Sequence, residues 1–291
     1  MAAVYALKSA GRTLLRKGQN RYSDLDRKEE SGQAMKIRIK FAKYGVMKFI
    51  GHLDVMRFFQ KAIRRADIDI RYSEGFSPHP VMSFAAPLGV GMESMGEYLD
   101  IEVLSMTSEE EMKNALNRAM TEGISVLSVT VLPDTAKNAM ASVAAARYQL
   151  AYHEETGKCA GNAGEESLCR FPIDHMEEKL AAFYAKERIP VTKKTKKGER
   201  ELNLKPGIFE LKTEEVSHPF ENDGKRYQVI SMLVDASSSG NIKPALVFDA
   251  FCQECAASLP PYSCQITRID TFTNLAGEGE TPVFVPLSAQ R

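Results

Sequence analysis

Residues 71–100 read RYSEGFSPHPVMSFAAPLGVGMESMGEYLD, and no helical period fits them. A Gly-Phe turn, a Pro-His-Pro unit, a short apolar run and further glycines precede a return into an acidic strand. In Ser77-Pro78-His79-Pro80 each proline fixes its own φ and biases the residue before it away from the α region. The backbone at His79 is thereby held extended, and its imidazole is displayed on a stiff loop. Such a unit serves either as a rigid turn between strands or as a presented hydrogen-bonding group. The motif loop comprises Ser73, Gly75, Phe76, Pro78, His79 and Pro80.

Outward from this loop, the elements on either side set the fold. On the N-terminal side, residues 36–41 alternate strictly, with Ile37, Ile39 and Phe41 against Lys36, Arg38 and Lys40. That pattern predicts a half-buried strand with a basic open face. A helix follows over 52–67, with Gly51 as N-cap and Asp54 in the first turn where the dipole favours it. Val55, Met56, Phe58, Phe59, Ala62, Ile63 and Ala66 fall on its apolar side, and Arg57, Lys61, Arg64 and Arg65 on its back. Strands are expected at 68–72 running through the loop into 81–85, and at 97–103. Ser108 caps a helix over 109–120, and a strand at 124–131 completes the order β-α-β-β-α-β.

A similar order recurs downstream. Strands are expected at 146–152, 226–234 and 263–272, and helices at 174–187 and 243–257. Asp174 and Glu177 have capping-box spacing, and a basic hairpin over 190–204 turns at Gly198. The fold class is therefore α+β, with two tandem ferredoxin-like domains, the second divergent and enlarged around its second strand. The expected domains span 35–135 and 136–273. Residues 274–291 read as a loose Gly/Pro-rich tail, and 1–34 as a poorly structured extension or an over-long start before Met35.

Net charge is zero over 291 residues, but the charges are segregated. Residues 35–80 hold ten Lys/Arg against four Asp/Glu, and residues 93–134 hold nine acidic against two basic. One positive surface, and so a polyanionic partner, is the expectation. Lys36, Arg38, Lys40, Arg57, Lys61 and Arg64, with Lys193, Lys194, Lys196 and Lys197 of the hairpin, are the candidate nucleic-acid contacts. Tyr72, Phe76 and Phe84 can offer faces for base stacking or belong to the core. His52, at a helix start, and His79 are the candidate acid–base pair if the protein is an enzyme.

The five cysteines are odd in number and follow no secretory signal, so a disulfide framework is not expected and a reducing cytoplasm fits. Cys252-Gln-Glu-Cys255 with Cys264 falls short of a four-ligand zinc site. The iron–sulfur C-x-x-x-C-x-x-C pattern, the Walker A loop, the G-x-G-x-x-G fingerprint and the G-x-S-x-G elbow are absent. No cofactor or metal is expected, and no apolar run approaches the length of a membrane span.

Phe49-Ile50-Gly51-His52-Leu53-Asp54, Tyr72-Ser73-Glu74-Gly75-Phe76-Ser77-Pro78-His79-Pro80, Ser83-Phe84-Ala85 and Gly91-x-x-Ser94-x-x-Glu97-Tyr98-Leu99-Asp100 resemble the radical SAM-linked protein family. The Lys-Lys-Gly hairpin, Leu204-Lys205-Pro206 and Gly240-Asn241-Ile242-Lys243-Pro244 resemble its C-terminal half. The resemblance spans about 35–272, with Gly51 where the family usually has Ser. It implies a cobalamin-binding radical SAM protein as partner and work on RNA or ribosomes; it carries no catalytic residues. Three functions follow as expectations: a non-catalytic accessory subunit that recognises RNA, an RNA-processing enzyme using His52 and His79, or a protein-interaction scaffold.

Overall fold

The computed structural model describes residues 34–153, 168–195, 198–220, 225–277 and 279–289. They form a mixed α+β structure with a ten-stranded sheet at its centre and, among the described residues, five helices.

In the first half, β1 (Met35–Lys43) leads through a 3-10 turn (Gly45–Phe49) into α1 (His52–Arg65). β2 (Met82–Phe84), β3 (Glu93–Val103), α2 (Glu109–Ala119) and β4 (Ile124–Leu132) follow. The spatial order is β4-β1-β3-β2, antiparallel throughout. The alternating apolar residues of β1, Ile37, Ile39 and Phe41, are buried against Val55, Phe59 and Ile63 of α1 and Met112 and Leu116 of α2. Ser108 caps α2 by accepting from the Glu111 amide at 3.1 Å. The outer edge of β4 is closed from α2. Asn117 exchanges two hydrogen bonds with the Val126 backbone, and Glu109 accepts from the Val131 amide, which removes donors that would otherwise template another strand.

The second half runs through α3 (Ala139–Ser142), β5 (Ala145–Tyr152), β6 (Leu168–Cys169), α4 (Met176–Ala185) and the hairpin β7 (Pro190–Thr195)–β8 (Gly198–Asn203). Then come β9 (Ile208–Ser217), β10 (Arg226–Asp235), α5 (Pro244–Glu254), β11 (Cys264–Asn274) and β12 (Phe284–Pro286). Its main order is β11-β5-β10-β9, again antiparallel, while β6 pairs parallel with the start of β10. Tyr148, Leu150, Ile230 and Met232 bury against Leu180 and Phe183 of α4 and Val247 and Phe251 of α5.

The halves share one sheet because β11 pairs with β3 in parallel, Thr267 opposite Glu93 and Arg268 opposite Ser94. Gly96 allows the approach: a Cβ there would stand 2.3 Å from the Asp270 Cα. Arg268 spans this seam, donating to Glu97 at 2.9 Å, to the Tyr148 hydroxyl at 3.1 Å and to the carbonyls of Ala86 and Pro87. Lys43, buried beside it, donates to the Ile50 carbonyl at 2.8 Å. Burial pulls its ammonium below the usual range, with Glu97 opposing and Arg268 reinforcing the shift.

Four expectations need correcting. α4 begins after His175, which adopts a left-handed conformation (φ 53°), so Asp174 and Glu177 do not make a capping box. β9 is a full strand where the sequence pattern suggests none. The tail packs back, with β12 on β11 and Leu287 fully buried. Cys169 is disulfide-bonded, while Cys252, Cys255 and Cys264 are free. No helix among the described residues is long and apolar enough to cross a membrane.

Candidate functional site

The motif loop is an excursion from the edge of the sheet. Ile70 bridges Val103 on β3, the chain leaves at Tyr72, and it returns at Pro80 to resume pairing with β3 along β2. Tyr72 and Pro80 bridge at the neck. Inside the neck, the Ser73 amide donates to the His79 carbonyl at 2.8 Å and the His79 amide donates to Ser73 Oγ at 3.1 Å. Ser73 Oγ also lies 2.8 Å from His79 Nδ1. Gly75 takes φ of 110°, a region open to glycine at little strain. Phe76, next to it, is fully exposed, and Tyr72 at the neck is 50% exposed.

His52 is placed differently. It opens α1, half-buried, with its ring edge-on to Phe84 at 5.2 Å. Phe84 itself is partly buried and packs against Phe41 and Phe59 at the margin of the core. Among the described residues, His52 and His79 share no hydrogen bond or ring contact.

The basic candidates divide into two groups. On β1 the charges turn inward. Arg38 is 1% exposed and forms a bidentate pair with Asp100 at 2.8 and 2.9 Å, while also donating to the carbonyls of Leu287 and Lys137. Lys40 pairs with Asp270 at 2.7 Å, and Lys36 donates to the carbonyl of Asp134 at 2.5 Å. The strand face expected to be open is covered by the segment carrying α3 and by the C-terminal strand and turn. Arg38 and Lys40 are thus spent on ion pairs that hold the fold together, while Lys36, half-buried, is bonded to backbone carbonyls.

On α1 the charges stay outside. Among the described residues, Arg57 pairs with its neighbour Asp54, both well exposed, which is worth little. Lys61 and Arg64 are exposed and make no ion pair among the described residues. β7 carries Lys193 and Lys194; Lys196 and Lys197 lie outside the described residues.

An apolar patch, not foreseen from the sequence, stands at the start of this ridge. Val46 and Phe49 stand three apart on the 3-10 turn and so share a face, and Leu53 follows in the first turn of α1. The Gly91 amide donates to the Lys48 carbonyl at 2.9 Å, which brings Val90 beside them. All four side chains are between 61% and 76% exposed. Lys48 lies over the Phe49 ring at 5.6 Å and bonds Gln265 at 2.8 Å. The signal that could have found the patch is local: Val46 and Phe49 stand in a short turn with no apolar period, and Leu53 lies on the far side of the α1 wheel from Val55 and Phe59.

A buried polar cluster lies on the seam. Glu93 accepts from the Gly45 amide at 3.1 Å, and its other oxygen is 3.8 Å from His218 Nε2, both side chains 6% exposed. Phe220 stacks on Tyr44 at 4.4 Å, fastening the same segment to the first half. Among the described residues, no group of three or more His, Cys, Asp or Glu is arranged to hold a metal ion.

No curated protein matches the chain. A family model does match, over residues 36–244, a span that includes the loop, the basic ridge, the apolar patch and the hairpin. The chain belongs to the family described as "Uncharacterized protein conserved in bacteria (DUF2344)".

Proposed function

We propose that the protein is a non-catalytic accessory subunit that recognises RNA for a cobalamin-type radical SAM enzyme. The observation that carries this reading is the exposed stripe of α1. Leu53, Arg57, Lys61 and Arg64 follow one another at helical spacing, so the apolar patch runs directly into solvent-facing cations. An apolar patch of this kind suits a protein partner, and a row of exposed cations suits a phosphate backbone. The strand orders β4-β1-β3-β2 and β11-β5-β10-β9 support two tandem ferredoxin-like halves, the second enlarged by β7–β8.

The placement of the histidines supports an accessory role over an enzymatic one. His52 is packed on Phe84 and His79 is bonded to Ser73, so each has a structural task. The partner's chemistry is suggested by the resemblance of the motif residues.

The test is to co-express the chain with a cobalamin-type radical SAM protein encoded in the same genome, capture it, and analyse both protein and RNA. Co-purification of both, with RNA released as salt rises, is expected. Protein without RNA replaces this reading with a scaffold. Turnover of RNA by the isolated chain overturns it.

A further inference from the structure

We infer that the 73–79 loop is a contact site for unpaired nucleotides, with Phe76 as the stacking platform and His79 Nε2 as a donor to a phosphate oxygen. This rests on the RNA-binding reading above and assigns it a place.

The argument begins with the clasp. Ser73 Oγ accepts the His79 amide at 3.1 Å, which leaves its own hydroxyl proton to donate. The acceptor within reach is His79 Nδ1, at 2.8 Å. Either partner can donate in this contact, since Ser73 Oγ keeps a second lone pair, and in both cases it engages Nδ1 and leaves Nε2 to a ligand. Ser73 therefore holds an exposed imidazole by its Nδ1 edge, and in the inferred complex the Ser73 hydroxyl donates to Nδ1 while the ring proton on Nε2 faces the phosphate. Ser73 is a positioning residue, and the neighbouring prolines keep the ring from swinging away.

Phe76 supplies the second part. A fully exposed phenyl ring on a loop otherwise made of Ser73, Glu74, Gly75, Ser77, Pro78 and His79 is poorly suited to a protein interface, where an anchor needs surrounding surface to exclude water. Stacking needs only an open π face, which every unpaired base can meet and a paired base cannot. Tyr72, half-exposed at the neck, offers a second face. Glu74 is the loop's carboxylate and opposes a phosphate.

The experiment is fluorescence anisotropy of the full chain at low salt, with a labelled single-stranded oligo-RNA and with the same strand annealed to its complement. Preference for the single strand is expected. Phe76→Ala should weaken that binding at least fivefold, Glu74→Gln should tighten it, and Ser73→Ala should weaken it about threefold, with rescue by Ser73→Thr. Nitrogen-15 NMR of the RNA complex should find the His79 proton on Nε2 in the wild type and in Ser73→Thr, and shared between the nitrogens in Ser73→Ala. Glu74 and Phe76 are exposed, so the unfolding midpoint of their variants should not move.

Equal binding of single strand and duplex overturns the inference. So does unchanged affinity in Phe76→Ala while Lys61→Glu/Arg64→Glu abolishes binding, a result that leaves the RNA reading standing. Loss of the radical SAM partner with RNA binding intact in Phe76→Ala makes the loop a protein contact instead. No RNA binding by the wild type at low salt overturns both readings.

Discussion

Arg268 on β11 donates to Glu97 on β3 across 2.9 Å, and each side chain is only 6% exposed. The pair therefore lies inside the seam between the two halves. Burial alone would lower the guanidinium's pKa, but Glu97, with help from Tyr148, reverses the shift and holds Arg268 charged. Removing one partner strands the other. Arg268→Met should cost about 3–5 kcal/mol in urea unfolding, and Arg268→Met/Glu97→Leu should recover most of it.

Gly96 sets the spacing of the same seam. A Cβ there would meet the Asp270 Cα at 2.3 Å and the Ile269 carbonyl at 2.8 Å, and backbone cannot rotate aside as a side chain can. Gly96→Ala is expected to destabilise by about 1–3 kcal/mol. Calorimetry on the purified variant checks this, and an unchanged melting temperature would contradict it.

Glu210 carries a pH dependence of definite sign. A hydrogen bond from Arg147 at 2.6 Å, with help from Lys212, pulls its carboxyl from 4.5 down to about 2. A depressed folded-state value contributes stability above pH 4.5 and loses it as pH falls towards 2. The site is partly solvated, so the effect stays within about 1 kcal/mol. The stability gap between wild type and Glu210→Gln, followed by urea titration, should close over that interval.

Burial, then the neighbouring thiol of Cys264, raises Cys252 to about 12, and burial raises Cys264 to about 11. Neither is a thiolate near neutral pH, so both should resist alkylation in the folded protein and react once denaturant exposes them. Rapid native labelling of Cys252, read by peptide mass, would contradict this.

Residues 52–65 were legible because α1 meets water on one side and core on the other, which writes a clean period into the sequence. The 36–41 alternation was equally clear, yet its polar face was misleading. Lys36, Arg38 and Lys40 look solvent-facing because alternation reports two different faces and says nothing of what covers them. Their partners lie 62 to 249 residues away, in Asp100, Asp270 and backbone carbonyls, and no local pattern encodes such distances. β9 was missed because Glu210, Lys212 and Glu214 put a charged face on a strand, with ion pairs in place of apolar burial. The loop was visible through its prolines and glycine, whereas the Ser73–His79 clasp that gives His79 its orientation was not.

The central claim is best tested on the ridge of α1. RNA affinity of the captured complex should be measured across a salt series for the wild type and for Lys61→Glu/Arg64→Glu. The account predicts tight binding at low salt that weakens as salt rises. The log–log slope should become shallower by about 1.4 in the variant, about 0.7 for each phosphate that is no longer neutralised. Affinity that is equally negligible at low and high salt, or a slope unmoved by the variant, would contradict it.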